Sequence, residues 1–527
     1  METISFITST LPLNHGGRTK SLLQRAMIFT ENGKQVKIYT TNYNENYDFI
    51  RKELKKTKKI NEKIEIINIY DYYKEENQVQ KNNYKRFLEQ ELPHYGVHKE
   101  EPSQQEGFFR KVIQKVHQEP IEEDLLKLYE FKKKENSQST YYYMNGRAVY
   151  QTSLSKGTDK IKTIDFYLPH YNKTVMRAYV DVNGNVHKMT YFEPGTEKIQ
   201  SEVFLNSKLH PYLVKEYSYK NEKLKSDRCI LTKMNGNITV FKTEKEFFRY
   251  WFEEIFREGE IVINDARLLD RPLMETNKKI KKIYQLHSSH LEIPEDLDSK
   301  TKGAFKLLLE SDFKDSELIV ALTESQKQNI LIKHPHLKGK IFVIPHALEM
   351  KKVEYDVKSK QICVVSRLVP EKKLEDVIEA FKLFNEQIQG YTLLIYGNGE
   401  EKQKLEKLIK ENNLTSTIKL MGLTDNPDQV FQESLFSVMS SRFEGLPLAV
   451  LESIANGCPV VSYDVNWGPS DILTEKSGRI TKENTPEALC QEMIEEVRNP
   501  KNRSEVQERA KNFTVPVFYQ SWSKLID

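Results

Sequence analysis

The sequence predicts an α/β protein: two Rossmann-like doubly wound units whose strand ends face one cleft, with a large antiparallel β-rich insertion in the first. Three observations carry this. Short apolar runs alternate with amphipathic helical stretches near both ends of the chain, as in parallel strands buried on both faces. From about residue 72 to 241 that rhythm gives way to runs joined by Asn-Gly and Pro-Gly turns, a meander signal. Ser440 to Ser462 then reads as a strand end, a tight turn, a helix and a second buried strand. At 527 residues the chain is too long for one ordinary domain. The expected division is 1–71 and 242–346 for the first Rossmann-like domain and 72–241 for the insertion. Residues 347–504 are expected to form the second Rossmann-like domain, and 505–527 a C-terminal helix crossing back to the first.

Ile4 to Thr8 is the first strand. Gly16-Gly17 opens a helix bearing Leu22, Leu23, Ala26, Met27 and Phe29, which Asn32-Gly33 ends before a second strand, Val36 to Thr40. A Gly-Gly pair there lets backbone amides approach phosphate or sugar oxygens. Ile64 to Tyr70 is a third strand. Helical runs follow at Phe87 to Leu92, Phe108 to Val116 and Ile121 to Phe131, broken by Pro93, Pro102 and Pro120. The meander strands run from Thr140 onward, with turns at Asn145-Gly146, Asn183-Gly184, Pro194-Gly195 and Asn235-Gly236, the Asn-Gly pairs expected as type I′. So many edges call for pairing or cover, which oligomerisation through the insertion would supply. The α/β rhythm resumes with a helix, Glu244 to Arg257, and strands at Ile261 to Asn264, Ile283 to Leu286, Leu318 to Leu322 and Ile341 to Ile344. After a crossover at Pro345-His346-Ala347 come Gln361 to Ser366, Tyr391 to Tyr396, Ile418 to Met421, Phe436 to Ser440 and Pro459 to Tyr463. The tail from Glu505 reads as helical, interrupted near Pro516.

Two carboxylates in the Ser440–Ser462 stretch, Glu444 and Glu452, lie eight residues apart. Glu444 sits in the turn at a strand's carboxyl end, where open α/β sheets bind ligands; Glu452 lies two helical turns inside. Along the same unit, Ser366-Arg367-Leu-Val-Pro-Glu-Lys372-Lys follows the first strand. Such a loop suits a diphosphate, because Arg can bind two oxygens at once and Lys supplies a mobile point charge. Tyr396-Gly397-Asn-Gly399-Glu400 follows another strand and opens a helix, as a nucleotide-edge loop would; the alternative is that Gly397 and Gly399 serve only the turn.

With Phe443-Glu-Gly-Leu-Pro447 and Glu452-Ser-Ile-Ala-Asn-Gly-Cys-Pro-Val-Val461 around it, the Glu-x7-Glu pair resembles the signature of retaining, nucleotide-sugar-dependent glycosyltransferases of family four, which have the GT-B fold. More narrowly, the chain is similar to the wall teichoic acid α-glycosyltransferases of Gram-positive bacteria. The shared features are the Gly16-Gly17 opening, the β-rich insertion, His287-Ser-Ser-His290 after a strand, and Gly468-Pro-Ser-Asp471. The resemblance implies that Arg367 and Lys372 hold the donor diphosphate. It places Glu444 and His287 by the transferred sugar, the turn at Gly445 and Leu446 on its hydroxyls, Gly397 at the nucleotide edge, and Glu452 on the ribose. Gly16 and Gly17 leave room for the donor, and His290 is a structural or supporting residue. Glu444, His287, Arg367 and Lys372 are thus the candidate catalytic set.

The function implied by the resemblance is that of an α-glycosyltransferase moving glucose from UDP-glucose onto poly(glycerol phosphate) wall teichoic acid, as a homotrimer. The alternatives are N-acetylglucosamine from its UDP-sugar onto poly(ribitol phosphate), or onto Ser-rich repeat surface proteins. A non-catalytic, polymer-binding scaffold is the competing class, and intact Glu444, Arg367 and Lys372 argue against it. Preorganised cations on the leaving diphosphate are the expected main catalytic contribution. No Asp-x-Asp stands in a matching loop, so no metal and no cofactor beyond the UDP-sugar co-substrate is expected. Composition fits these expectations. With 80 basic against 76 acidic residues no global field points to nucleic acid. The basic run Arg51 to Lys63 could steer an anionic polymer or touch the inner face of a membrane. Four scattered cysteines, no signal peptide at the N-terminus and no apolar run approaching ~20 residues point to a cytoplasmic protein.

Overall fold

The computed structural model describes residues 2–13, 16–74, 83–95, 132–135, 139–144, 147–155, 157–167, 173–353 and 359–527. The expected helices at Phe108 to Val116 and Ile121 to Phe131 and the Asn145-Gly146 turn lie outside them. Two compact units form: Met1–Thr40 with Glu53–Ile66 and Phe256–Asp527, and Thr41–Lys52 with Ile67–Ile255.

The first unit holds two sheets. One has seven strands in the order Ile341–Val343, Glu317–Ala321, Lys281–Gln285, Ile261–Asn264, Thr3–Thr8, Gln35–Thr40 and Glu65–Asn68. Its strands pair in parallel from the first of these through Gln35–Thr40. The other has six parallel strands, ordered Ile418–Gly422, Thr392–Tyr396, Gln361–Val365, Phe436–Met439, Val460–Ser462 and Gly478–Ile480. In both sheets the strand order reverses in the middle, between Ile261–Asn264 and Thr3–Thr8 and between Gln361–Val365 and Phe436–Met439. Those are the topological switch points, whose carboxyl ends open the crevices where doubly wound folds bind ligands. The inner strands are covered on both faces: Glu317–Ala321 and Ile261–Asn264 are buried at every position, whereas the edge strand Ile418–Gly422 is exposed at alternate positions.

Three departures from the sequence reading have local causes. The third strand stops at Asn68, whose Oδ1 accepts from the Tyr70 amide at 2.9 Å and turns the chain into a helix, Ile69–Lys74. Gly478–Ile480 adds an unforeseen strand, too short to show a period in the sequence. The tail comprises helices Arg503–Ala510 and Val515–Ile526. Pro516 sits in the first turn of the second, where its missing N–H costs nothing, so it starts that helix rather than interrupting one. Trp522 and Tyr519 of this helix pack edge-on against Phe29, at 5.7 and 6.2 Å between ring centroids.

The second unit is built on a ten-stranded antiparallel meander in strict chain order, from Lys132–Glu135 to Ile238–Phe241. Helix Tyr84–Glu91 packs Phe87 and Leu88 onto Tyr142, Tyr150, Phe166 and Met176. The two Asn-Gly hairpins among the described residues are not type I′. Of each pair only the glycine has positive φ, +79° at Gly184 and +82° at Gly236, whereas type I′ needs both. Instead the Gly184 amide bonds Asp181 O at 3.0 Å, and Asp181 Oδ1 takes the amides of Asn183 and Asn185. The aspartate thus supplies the acceptor that fixes a longer loop closed by a left-handed glycine. This unit also takes in more than the expected 72–241: Tyr43 and Tyr70 both pack on Phe204, at 4.8 and 5.0 Å. Lys215 bonds the hydroxyl of Tyr70 at 2.5 Å and pairs with Glu244 of the helix Glu244–Ile255.

Burial pushes the imidazole of His187 down to about 3 and that of His290 down to about 4, from an ordinary 6.5. Both stay neutral in the native state, whereas the unfolded chain takes up their protons below pH 6.5. The unfolded state then binds more protons, so stability is complete above 6.5 and is lost as pH falls toward 4. The melting temperature is expected to drop across that interval. His187→Gln, which cannot titrate, should flatten the drop; an unchanged slope would refute the assignment.

Candidate active site

A cavity of about 410 Å3 lies at the two switch points and gathers most of the candidate residues. From the N-terminal sheet come Gly16 and Gly17, at the start of helix Gly17–Glu31, and His287, just past strand Lys281–Gln285. From the other come Arg367 and Lys372 after Gln361–Val365, and Glu444, Gly445, Leu446 and Glu452 after Phe436–Met439. Neither helix that begins here, Gly17–Glu31 or Leu448–Ala455, has a side-chain cap, so no side chain competes with a ligand for the amides at its start. Gly397 is not on the cavity wall. It has φ +146°, and a Cβ there would stand 1.8 Å from Ser366 O, so its place is beneath the loop that carries Arg367.

Inside the cavity the charges are paired. Lys372 Nζ meets Glu444 Oε1 at 2.6 Å, and Ser441 Oγ donates to the same oxygen at 2.7 Å. Both partners of the ion pair are mostly covered, with side chains 18% and 13% exposed. Arg367 is 63% exposed and only leans on Glu371 at 3.0 Å, a weak surface pair that leaves the guanidinium available. Glu452 pairs with Lys20, on the N-terminal helix. The two walls approach closely: a Cβ on Gly445 would lie 2.4 Å from His287 O, and one on Gly17 3.0 Å from Leu448 Cδ1.

Behind His287 stands a buried network that the sequence reading did not foresee. His287 Nε2 bonds Asp265 Oδ1, Asp265 Oδ2 pairs with Arg25 Nη2 at 2.5 Å, and Arg25 Nη1 donates to Gln285 Oε1 at 2.9 Å. His346 stacks on His287 at 5.7 Å and 19°. Burial raises the carboxyl of Asp265, but the Arg25 guanidinium and the His287 contact outweigh it and bring the group down to about 2. Burial pushes both His287 and His346 below the usual range, against the pull of Asp265, so each imidazole is neutral. The available signal was positional: Asp265 is the first residue past a strand at the switch point. His290, by contrast, is buried against Trp467 at 5.1 Å, off the cavity wall.

Such a cavity offers cations and helix amides for a diphosphate, and carboxylates and neutral imidazoles for sugar hydroxyls. Among the described residues no group of three or more His, Cys, Asp and Glu could hold a metal ion, and no helix is long and apolar enough to cross a membrane.

The comparisons agree with that chemistry. Residues 347–513 match the family model described as glycosyl transferases group 1. The chain is 26% identical, over 98% of its length and 74% of the relative's, to a poly(glycerol-phosphate) alpha-glucosyltransferase of Bacillus subtilis. It is 25% identical, over 95% of its length and 93% of the relative's, to a poly(ribitol-phosphate) alpha-N-acetylglucosaminyltransferase of Staphylococcus aureus. A crystal structure of S. aureus TarM superposes with a TM-score of 0.80 at 23% identity, covering 100% of both chains, and so shows the fold. Residues 347–513 are therefore a glycosyltransferase group 1 domain within a GT-B fold, and the whole chain stands close to the poly(glycerol-phosphate) and poly(ribitol-phosphate) α-glycosyltransferases.

Proposed function

We propose that this protein is a retaining, metal-independent α-glucosyltransferase that moves glucose from UDP-glucose onto poly(glycerol phosphate) wall teichoic acid. The observation that carries this reading is the meeting of Arg367, Lys372 and Glu444 on one cavity at the carboxyl ends of two Rossmann sheets. Breaking the anomeric bond develops negative charge on the diphosphate. A donor entering the cavity would draw Lys372 from Glu444 and recruit the exposed Arg367, putting two positive charges on the leaving group. Glu444, released, would face the sugar beside the Gly445–Leu446 turn, and Glu452 would exchange Lys20 for the ribose hydroxyls. The names of the two relatives support transfer of a hexosyl group to a polyol-phosphate acceptor, and the TarM structure in complex with UDP and alpha-GlcNAc-glycerol supports a UDP-sugar donor.

The nearly equal identities to the two relatives keep a second reading alive, transfer of N-acetylglucosamine onto poly(ribitol phosphate). Likeness to the pneumococcal O-GlcNAc transferase GtfA, TM-score 0.71 at 15% identity, is a likeness of fold and leaves Ser-rich protein acceptors as a control. Screening UDP-glucose and UDP-N-acetylglucosamine against both polymers and a Ser-rich peptide, read by product mass and anomeric configuration, decides among them. Glucose on poly(glycerol phosphate) in the α configuration, undiminished by chelator, is expected. Exclusive labelling of the peptide, a β product, or loss of turnover in EDTA would each overturn its part. The reading extends to a cytoplasmic, membrane-peripheral homotrimer. The last meander strand, which leaves Ile238 66% and Val240 57% exposed, supports association through the second unit. Sedimentation of Val240→Lys should then show the monomer.

A further inference from the structure

The bonds behind His287 fix one another's polarity in sequence. The Leu286 and Val320 carbonyls can only accept, at 3.0 and 3.3 Å, so they hold the amide nitrogen of Gln285. Its oxygen must then face Arg25, which has donors only. Arg25 spends its other terminal nitrogen on Asp265 Oδ2 and is clamped between the rings of Phe6 and Trp522, at 4.8 and 5.2 Å. Asp265, fully buried and paired with a guanidinium, is an ionised acceptor, so the proton in its contact with His287 sits on Nε2. A neutral imidazole protonated there carries its lone pair on Nδ1. That atom is buried and has no hydrogen-bond partner among the described residues, although His287 lines the cavity. An unmet acceptor in such a place calls for a ligand.

We infer that Asp265 and Arg25 are positioning residues that hold His287 as the Nε2–H tautomer, so that Nδ1 accepts a hydrogen bond from a hydroxyl of the donor sugar. This rests on the donor placement proposed above. The stacked ring of His346 keeps the imidazole from turning, and the network reaches back through Gln285 to the carbonyls of the sheet. The sugar thus meets an acceptor built into the strand ends.

Asp265→Asn tests the idea by reversing one bond. Arg25 still demands the amide oxygen, which leaves the NH2 facing Nε2, and that group can only donate. The imidazole must move its proton to Nδ1, and the acceptor in the cavity is lost. Turnover at saturating UDP-glucose is expected to fall on the order of 10²-fold. Affinity for UDP, which carries no sugar, should stay within about two-fold. Turnover within about three-fold of the parent, or a matching loss of UDP affinity, overturns the proposal. Should the variant fail to fold, 15N-histidine spectra of the unaltered chain decide it. Protonated Nε2 with bare Nδ1 is expected, with Nδ1 responding to UDP-glucose but not to UDP. A protonated Nδ1 at neutral pH, or no response to UDP-glucose when the donor is turned over, refutes it. A chain that turns over no UDP-sugar yet shows the Nε2–H tautomer sinks the proposed function and upholds the positioning.

Discussion

Arg367→Ala and Lys372→Ala are each expected to lower turnover at saturating donor by about 10²–10³, a few kcal/mol of barrier, but with different effects on stability. Arg367 is mostly exposed and held by a weak i,i+4 surface pair with Glu371, so its loss should leave the melting temperature in place. Lys372 is different, because it neutralises a largely covered Glu444 in the resting protein. Without it the carboxylate keeps, among the described residues, only the Ser441 hydroxyl, and an unpaired buried group costs about 1–3 kcal/mol. Lys372→Ala should therefore lower stability as well as turnover, and the second change Glu444→Gln should recover the stability but none of the activity. Steady-state kinetics with calorimetry on the three proteins checks this. Near-parental turnover in either single variant would show that these cations do not stabilise the leaving group.

Much of this cavity was legible because its pieces are local. The Ser440–Ser462 stretch contains a buried strand, a turn and a helix start in one continuous run, and the loop from Ser366 to Lys373 hangs on the next strand of the same sheet. A motif of that kind carries both its chemistry and its placement. The network behind His287 has no such property. Arg25 and Asp265 are brought together from 240 positions apart by the pairing of the first strand with Ile261–Asn264. That adjacency belongs to the strand order of a doubly wound sheet, not to any window of sequence. The hairpins failed for a subtler reason: at Asn235-Gly236 the Gly236 amide closes a longer loop on Lys233 O, and at Asn183-Gly184, where Gly184 does the same on Asp181 O, the side chain of Asp181 also offers the backbone another acceptor. The third strand ended early for the same cause, with Asn68 as the competitor. Gly397 adds a part that no motif displays, since its close packing under Ser366 supports the loop that carries Arg367.

Gly445→Ala should be as damaging as losing a cation, although it removes no functional group. The backbone of Gly445 is not in the left-handed region, so alanine fits locally and the second Rossmann domain should keep its stability. The conflict lies across the cleft, where the new Cβ would stand 2.4 Å from His287 O, 2.9 Å from its carbonyl carbon and 3.1 Å from Ser288 Cα. Backbone cannot yield as a side-chain end can, so the two walls must part by roughly an ångström, and misplacement on that scale costs about 10² in rate. Gly17→Ala meets only the tip of Leu448, at 3.0 Å, which can rotate away, so a much smaller loss is expected there. If closeness of the walls is what matters, Gly445→Ala loses turnover and donor affinity together while its melting curve stays near that of the parent. Equal activity in the two glycine variants would mean that the gap between His287 and the Glu444 turn does not govern catalysis, and the reading of this cavity as a single two-walled site would fall.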